Sequence, residues 1–436
     1  MDSEVIGLLG LALMFALIAL HVPIGVAMGL SGLATFGLLR NFNAAVSLFG
    51  TETVGKLASA DLAIVPLFLL MGGFATAGGL SADLYRIAYA FVGHVRGGLA
   101  MATIGGCAGF GAICGSSVAT TATMTRVALG EMIQRRYAET LATGSIAAGG
   151  TLGMLIPPSI IFVLYAVLTE QFVLTLFVAA LLPAILAVTL HAIAVRIYVM
   201  VYPEAGPAGE RTSMRDRLKI VLDGWAAIAL MVTVTGGIYA GVFSVTESAA
   251  VGAALAFIIA LARGRLSLRE FWNVLSETAA TTSMIYIIVI GASIFTYAIT
   301  LSQLPELLVS TISGSGLSPL VIVLLLMVLY LILGSIFDTI SSMIITLPFV
   351  FPLILSLGYD PIWWGVINVM VIEIGMITPP IGMNVFVMKA MVPNVSLSTI
   401  FRGIMPFLAA DLVRLMILIL FPVIALWLPN MLNLAR

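Results

Sequence analysis

Residues 149–163 read GGTLGMLIPPSIIFV, and residues 371–385 read VIEIGMITPPIGMNV. Within them Gly153-Met154-Leu155-Ile156-Pro157-Pro158 recurs as Gly375-Met376-Ile377-Thr378-Pro379-Pro380, a shift of 222 positions from 153 to 375. Two consecutive prolines remove two backbone donors and push the preceding residue out of helical geometry, so a helix has to stop at each motif. Gly149, Gly150 and Gly153, and again Gly375, loosen the chain just upstream. The flanks are apolar, so the carbonyls freed by the break need partners where water is scarce. A bound cation meets that need, and the second half of the helix then aims its positive N-terminus at any nearby anion. A proline kink repaired by neighbouring helices is the other reading, and the duplication weighs against it.

Working outward, a second pair of landmarks precedes the breaks. Gly115-Ser116-Ser117-Val118-Ala119-Thr120-Thr121 and Gly334-Ser335-Ile336-Phe337-Asp338-Thr339-Ile340-Ser341-Ser342 each join two apolar legs. Turns in water usually carry charge, proline or asparagine. These junctions are rich in hydroxyls and nearly uncharged, which suits the tip of a re-entrant hairpin buried in protein better than a plain two-span turn. Gly115 to Gly334, and Gly72 to Gly291, both shift by 219 positions. A common shift across several landmarks marks an internal repeat.

The solvent for such a fold is lipid. Of 436 residues 61% are hydrophobic and 9% charged, against roughly 25% charged in a soluble domain. The apolar runs are continuous rather than alternating, which selects helices over a barrel. At about 20 residues per crossing they supply roughly ten to twelve spans. The start, Met1-Asp2-Ser3-Glu4, lacks the basic region of a secretory signal, so 5–21 is expected to be a retained helix. Further helices are expected at 24–40 and 61–80, then an amphipathic arm at 82–96 with Leu84, Ile87, Phe91 and Val95 on one face. Hairpin legs 99–114 and 118–133, a broken helix 137–169 and a helix 172–200 complete a first repeat, 1–223, whose end, 203–223, is a hydrophilic linker. The second repeat, 224–436, follows the same order: scaffold helices to 300, an arm 302–314, legs 318–334 and 338–355, a broken helix 362–392 and a last helix 404–428.

Basic residues concentrate on the cytoplasmic side of membrane proteins. One threading places Arg86, Arg96, Arg135, Arg136, the 211–219 cluster, Arg263, Arg265, Arg269 and Arg402 inside, leaving Arg40, Lys56 and Arg436 outside. The first hairpin is flanked by arginine and the second has no Lys or Arg at its flanks, so the two repeats face opposite ways. The fold class is therefore an all-α polytopic membrane protein of two inverted repeats, each with a re-entrant hairpin and a broken helix, as in secondary transporters.

Asp338 is the acid most suited to an ion path, because an ionisable group between apolar legs is costly unless it serves one. It also suits a helix cap on the second leg, and the two roles are compatible. Glu373 fits a site or a structural hydrogen bond equally. Ser244 and Glu247 have the spacing of a capping box. Other chemistry is excluded. Gly50-Thr51-Glu52-Thr53-Val54-Gly55-Lys56 imitates a phosphate loop, but Leu57 stands where Ser or Thr is required. His21, His94 and His191 lack metal-ligand spacing, and Cys107 and Cys114 read as buried small hydrophobes rather than a disulfide. No enzyme motif, organic cofactor or nucleic-acid partner is expected.

The stretches GSSVATTATM (115–124), GGTLGMLIPPSIIFVLYAV (149–167), TGGIYAGVFSVTESAAVGA (235–253) and IEIGMITPPIGMNVFV (372–387) resemble the large membrane subunit of tripartite ATP-independent periplasmic (TRAP) transporters, along essentially the whole chain. The resemblance implies sodium-coupled uptake of an organic acid, a carboxylate, across a bacterial inner (cytoplasmic) membrane. Its partners would be a periplasmic substrate-binding protein and a small four-helix membrane subunit, with membrane lipid around them. It also implies the elevator-type ion-transporter fold of divalent-anion/sodium symporters, with two sodium sites. One would lie among Ser116, Ser117 and the carbonyls near Gly150 to Gly153, the other among Gly334, Asp338 and the carbonyls near Gly375 to Thr378. Ser116, Thr120, Ser335, Pro157 and Pro379 are the corresponding expectations for substrate contact. Where the family usually carries Thr-Pro-Thr-Glu-Ala, this chain has Ser244-Val245-Thr246-Glu247-Ser248, which puts the cap geometry there in question. A stand-alone sodium/carboxylate symporter is the runner-up.

Overall fold

A computed structural model describes residues 2–434; Arg436, placed outside by the sequence, falls beyond them. The described residues contain helices and no strand. Among the described residues, seven helices are long and apolar enough to cross a membrane, or up to nine if two sharply bent pairs count as one span each. That is fewer than hydropathy alone suggests. Ser3–Ala19, Ile24–Leu39, Gly98–Cys114 and Pro361–Gly375 are apolar but shorter than a full span.

Both breaks and both hairpins form where the sequence puts them. The first hairpin runs Gly98–Cys114, turns at Gly115 and Ser116, and returns from Ser117 through a π-helical turn, Thr125–Leu129, to Gln134. The second pairs Pro319–Ile336 with Thr339–Ser356. The broken helices are Glu139–Leu155 with Ile160–Thr169, and Pro361–Gly375 with Met383–Met391. Each prolyl pair has a cis bond between its prolines. Side chains supply the helix starts: the Ser116 hydroxyl accepts from Ala119 N, and Asp338 Oδ2 accepts from Ser341 N at 3.1 Å. Ser244 and Glu247 form the full capping box, so the departure at that motif leaves the cap intact.

One helix has no counterpart in the sequence reading. Phe42–Leu57, capped by the Asn41 side chain on Ala44 N at 2.7 Å, mixes polar and apolar residues without a clean stripe. It also contains Gly50 to Lys56, whose amides are committed to helical bonds and form no phosphate cradle. The linker 203–223 likewise gains structure, a helix at Met214–Asp223.

Packing divides the helices by partner. Ile24–Leu39 lies along Leu268–Leu301 so closely that a Cβ on Gly291 would stand 1.9 Å from Gly25 O. Ile64–Ala77 packs on Val245–Ala262 and on Leu268–Leu301. Leu80–Val92, the first arm, leaves Ile64–Ala77 at 68° through Gly79, whose φ of +74° needs glycine. Val173–Val201 and Leu397–Leu420, by contrast, pack on the broken helices and on each other. A buried ionic cluster ties them there. His191 Nε2 lies 2.9 Å from Asp411 Oδ1, and the Arg414 guanidinium lies 3.1 Å from Asp411 and 3.5 Å from Glu373. Glu373–Arg414 and His191–Asp411 thus link Pro361–Gly375, Leu397–Leu420 and Val173–Val201 through buried ionic contacts, which are costly to break.

Candidate functional site

The two hairpin tips and both breaks meet at one cavity of about 200 Å³. Ser116, Ser117 and Val118 line it from the first tip, and Asp338, Thr339 and Ile340 from the second. Met154 and Ile160 reach it from the first break, Met376 and Met383 from the second, while Leu69, Thr281 and Ile285 close it from Ile64–Ala77 and Leu268–Leu301. Four of these residues, Ser117, Ile160, Thr339 and Met383, are the first residues of their helices. Four helix N-termini thus converge on one space, each with free amides and a partial positive charge. Asp338 is the one ionisable residue among those lining it, and no Lys or Arg does so.

Each tip touches the break of its own repeat through bare backbone. A Cβ on Gly153 would lie 2.5 Å from Thr120 Oγ1 and 2.8 Å from Ser116 O, and one on Gly150 would lie 1.9 Å from Thr121 Oγ1. In the second repeat a Cβ on Gly375 would lie 2.7 Å from Gly334 Cα, and Gly382 N donates to Ser335 O at 3.1 Å. The glycines that loosen the chain in sequence are, in space, the surfaces on which the tips rest.

The residues singled out from sequence separate into two layers. Ser116, Ser117 and Asp338 line the cavity. Thr120 donates to Ser116 O at 2.7 Å, and Ser335 turns its hydroxyl back to Ile332 O at 2.8 Å, so both lie behind the tips rather than facing the space. Gly150, Gly153, Gly334 and Gly375 form the backbone wall between tip and break. Thr378 Oγ1 donates to Ile374 O at 2.7 Å, leaving its carbonyl toward Gly382. Pro157 is buried and Pro379 exposed, and neither lines the cavity.

The sequence reading missed Asn384. Its Nδ2 donates to Ser117 Oγ at 2.6 Å and approaches Ala147 O at 3.4 Å, so a residue of the second broken helix completes the first tip. Its Oδ1 is buried without a partner, as is Thr121 Oγ1. Buried oxygens are normally hydrogen-bonded; Thr121 Oγ1, which lies against Gly150, and Asn384 Oδ1, on the residue that reaches Ser117, are oxygens of the kind a hard cation could take. The available signal was a lone amide at the start of an apolar half-helix.

The family description "Tripartite ATP-independent periplasmic transporter, DctM component" matches residues 11–424. The chain belongs to this family. It is 38% identical over 94% of its length to the C4-dicarboxylate TRAP transporter large permease protein DctM of Pseudomonas aeruginosa, covering 95% of that protein. It is 31% identical to the isethionate TRAP transporter permease protein DctMQ of Oleidesulfovibrio alaskensis, covering 95% of this chain and 65% of the longer relative. Among solved structures, the Alcanivorax borkumensis YdaH transporter superposes with a TM-score of 0.64 over 96% of this chain and 98% of the other, at 16% identity. That likeness concerns the fold alone. As a TRAP large permease the chain is a multi-pass membrane transport protein, in keeping with its apolar helices.

Proposed function

We propose that this permease is the substrate-translocating subunit of a sodium-coupled importer of a carboxylate, handed over by a periplasmic binding protein in a bacterial inner membrane. The observation that carries this reading is the meeting of four helix N-termini at a cavity lined by no basic side chain. Such amides favour an anion. Asp338 opposes one, so further positive charge has to arrive with the substrate. Sodium supplies it and requires only oxygen ligands.

One ion is assigned to Ser116, Ser117 and the carbonyls of Gly150 to Gly153, where Thr121 Oγ1 and Asn384 Oδ1 lack partners. The other is assigned to Gly334, Asp338 and the carbonyls of Gly375 to Thr378, beside which Ser342 Oγ is also buried and unpartnered. A relative named for C4-dicarboxylates at 38% identity supports a carboxylate. The longer DctMQ relative, of which this chain spans 65%, supports a second, smaller membrane component. The close backbone contacts between tips and breaks favour each pair moving as one body, and Leu268–Leu301 lines the cavity beside that body. Movement of the hairpins, broken helices, Val173–Val201 and Leu397–Leu420 as a unit would carry the cavity across the membrane, an elevator.

The test is uptake into proteoliposomes holding the whole complex, with the binding protein outside and a C4-dicarboxylate as probe. Accumulation should require an inward sodium gradient. Equal rates with potassium in place of sodium would overturn the coupling.

A further inference from the structure

The segment joining the two halves is a surface with a defined chemistry. Its start is tied down: Gly206 O accepts from Gly97 N at 2.9 Å, Gly209 N donates to Gly93 O at 3.0 Å, and Tyr137 OH donates to Pro207 O at 3.0 Å. The helix Met214–Asp223 follows, capped by Ser213 on Asp216 N at 3.1 Å. It then meets Trp225–Tyr239 at 63° with Gly224 alone between them. A helix that turns this sharply from a continuing apolar span runs across the membrane edge rather than through it.

At about 100° per residue the helix has three faces. One, with Ile220, Arg217 and Gly224, rests on the arm Leu80–Val92. Gly224 abuts the Ile87 side chain there, and the Arg217 guanidinium sits 5.6 Å from the Phe91 ring centre. The second carries Met214, Leu218 and Leu222, exposed by 73%, 60% and 61%. Trp225, at the corner, is 61% exposed. Arg215 and Lys219 border this apolar face on one side and Arg217 on the other. The third face, pointing away from it, holds Asp216 and Asp223. Asp216 is further occupied by the Ser213 hydroxyl at 2.6 Å. Neither Arg215 nor Lys219 has an ion-pair partner among the described residues.

Apolar residues in the middle, cations on both borders and anions opposite form the arrangement that seats a helix in a lipid interface, with basic side chains extending to headgroup phosphates. An exposed tryptophan at the end of a span belongs at the same depth. We propose that Met214–Asp223 is a docking site for anionic phospholipid, with Leu218 and Leu222 among the acyl chains and Arg215 and Lys219 on the phosphates. Because the helix lies on the first arm, the lipid is held against the element that joins the hairpin to the scaffold.

The test uses the full-length chain in nanodiscs, carrying a bimane on Leu218→Cys; Cys107 and Cys114 are buried and stay unlabelled. Brominated phosphatidylglycerol should quench the probe more strongly than brominated phosphatidylcholine at equal mole fraction. Each basic residue is expected to add about fivefold to the preference. Arg215→Gln with Lys219→Gln should abolish the difference while leaving quenching by either lipid. Equal quenching by the two lipids in the unaltered basic background would overturn the anionic preference. No quenching by either would overturn the lipid contact itself and place protein or water on this face. Neither result bears on sodium coupling.

Discussion

Glu373 and Arg414 face each other at 3.5 Å with both side chains fully buried, and they join the second broken helix to Leu397–Leu420. Glu373 stands two residues before Gly375, on which the second hairpin tip rests, so the pair braces the back of the candidate ion site.

Removing the cation from this pair should be severe. Arg414→Met leaves Glu373 and Asp411 buried with one positive neighbour fewer, at a cost of about 3–5 kcal/mol. Thermal unfolding in detergent should show a large loss, and adding Glu373→Gln should return much of it. A single variant as stable as the parent would remove the bracing role.

Asp338→Asn separates capping from ion binding. Asparagine caps a helix as well as aspartate does, so the start of Thr339–Ser356 should survive and unfolding change little. The sodium concentration for half-maximal uptake should rise about tenfold or more, equivalent to ~1.4 kcal/mol of ion binding. An unchanged sodium curve in a folded variant would confine Asp338 to its cap.

Asn384→Ala cuts the only side-chain hydrogen bond seen at Ser117 Oγ among the described residues. Breaking a buried hydrogen bond costs about 1–3 kcal/mol, and uptake at limiting sodium should fall well below that of the parent. If excess sodium fails to restore any of the lost uptake while the fold is intact, Asn384 is a packing residue and not part of an ion site.

The proposed moving unit faces Leu268–Leu301 across the cavity. Val118 lines it from the first tip and Thr281 from Leu268–Leu301. Val118→Cys with Thr281→Cys, oxidised, should stop transport, and reduction should restore it. Undiminished transport with the crosslink complete would exclude relative motion of the first tip and Leu268–Leu301.

What local sequence determined here is what local physics governs. Prolines 157, 158, 379 and 380 end their helices because they lack an amide hydrogen and crowd the preceding turn, whatever surrounds them. The caps at Ser116, Asp338 and Ser244 act within three residues, and hydropathy alone assigns the chain to lipid. Duplication then made the hairpins and breaks legible as a pair. Tertiary structure decided the rest, because the partners are remote. Asn384 and Ser117 lie 267 positions apart, and His191 and Asp411 lie 220 apart. A buried amide or carboxylate must find some partner, yet nothing within its own helix specifies which one. Only packing shows that Ser117, at the first tip, is met by a residue of the second repeat, and that Val173–Val201 and Leu397–Leu420 pack on the broken helices. The helix Phe42–Leu57 stayed hidden for another reason: Phe42, Val46, Phe49 and Leu57 share one face, but polar residues and other apolar ones around the rest of the helix blur that period.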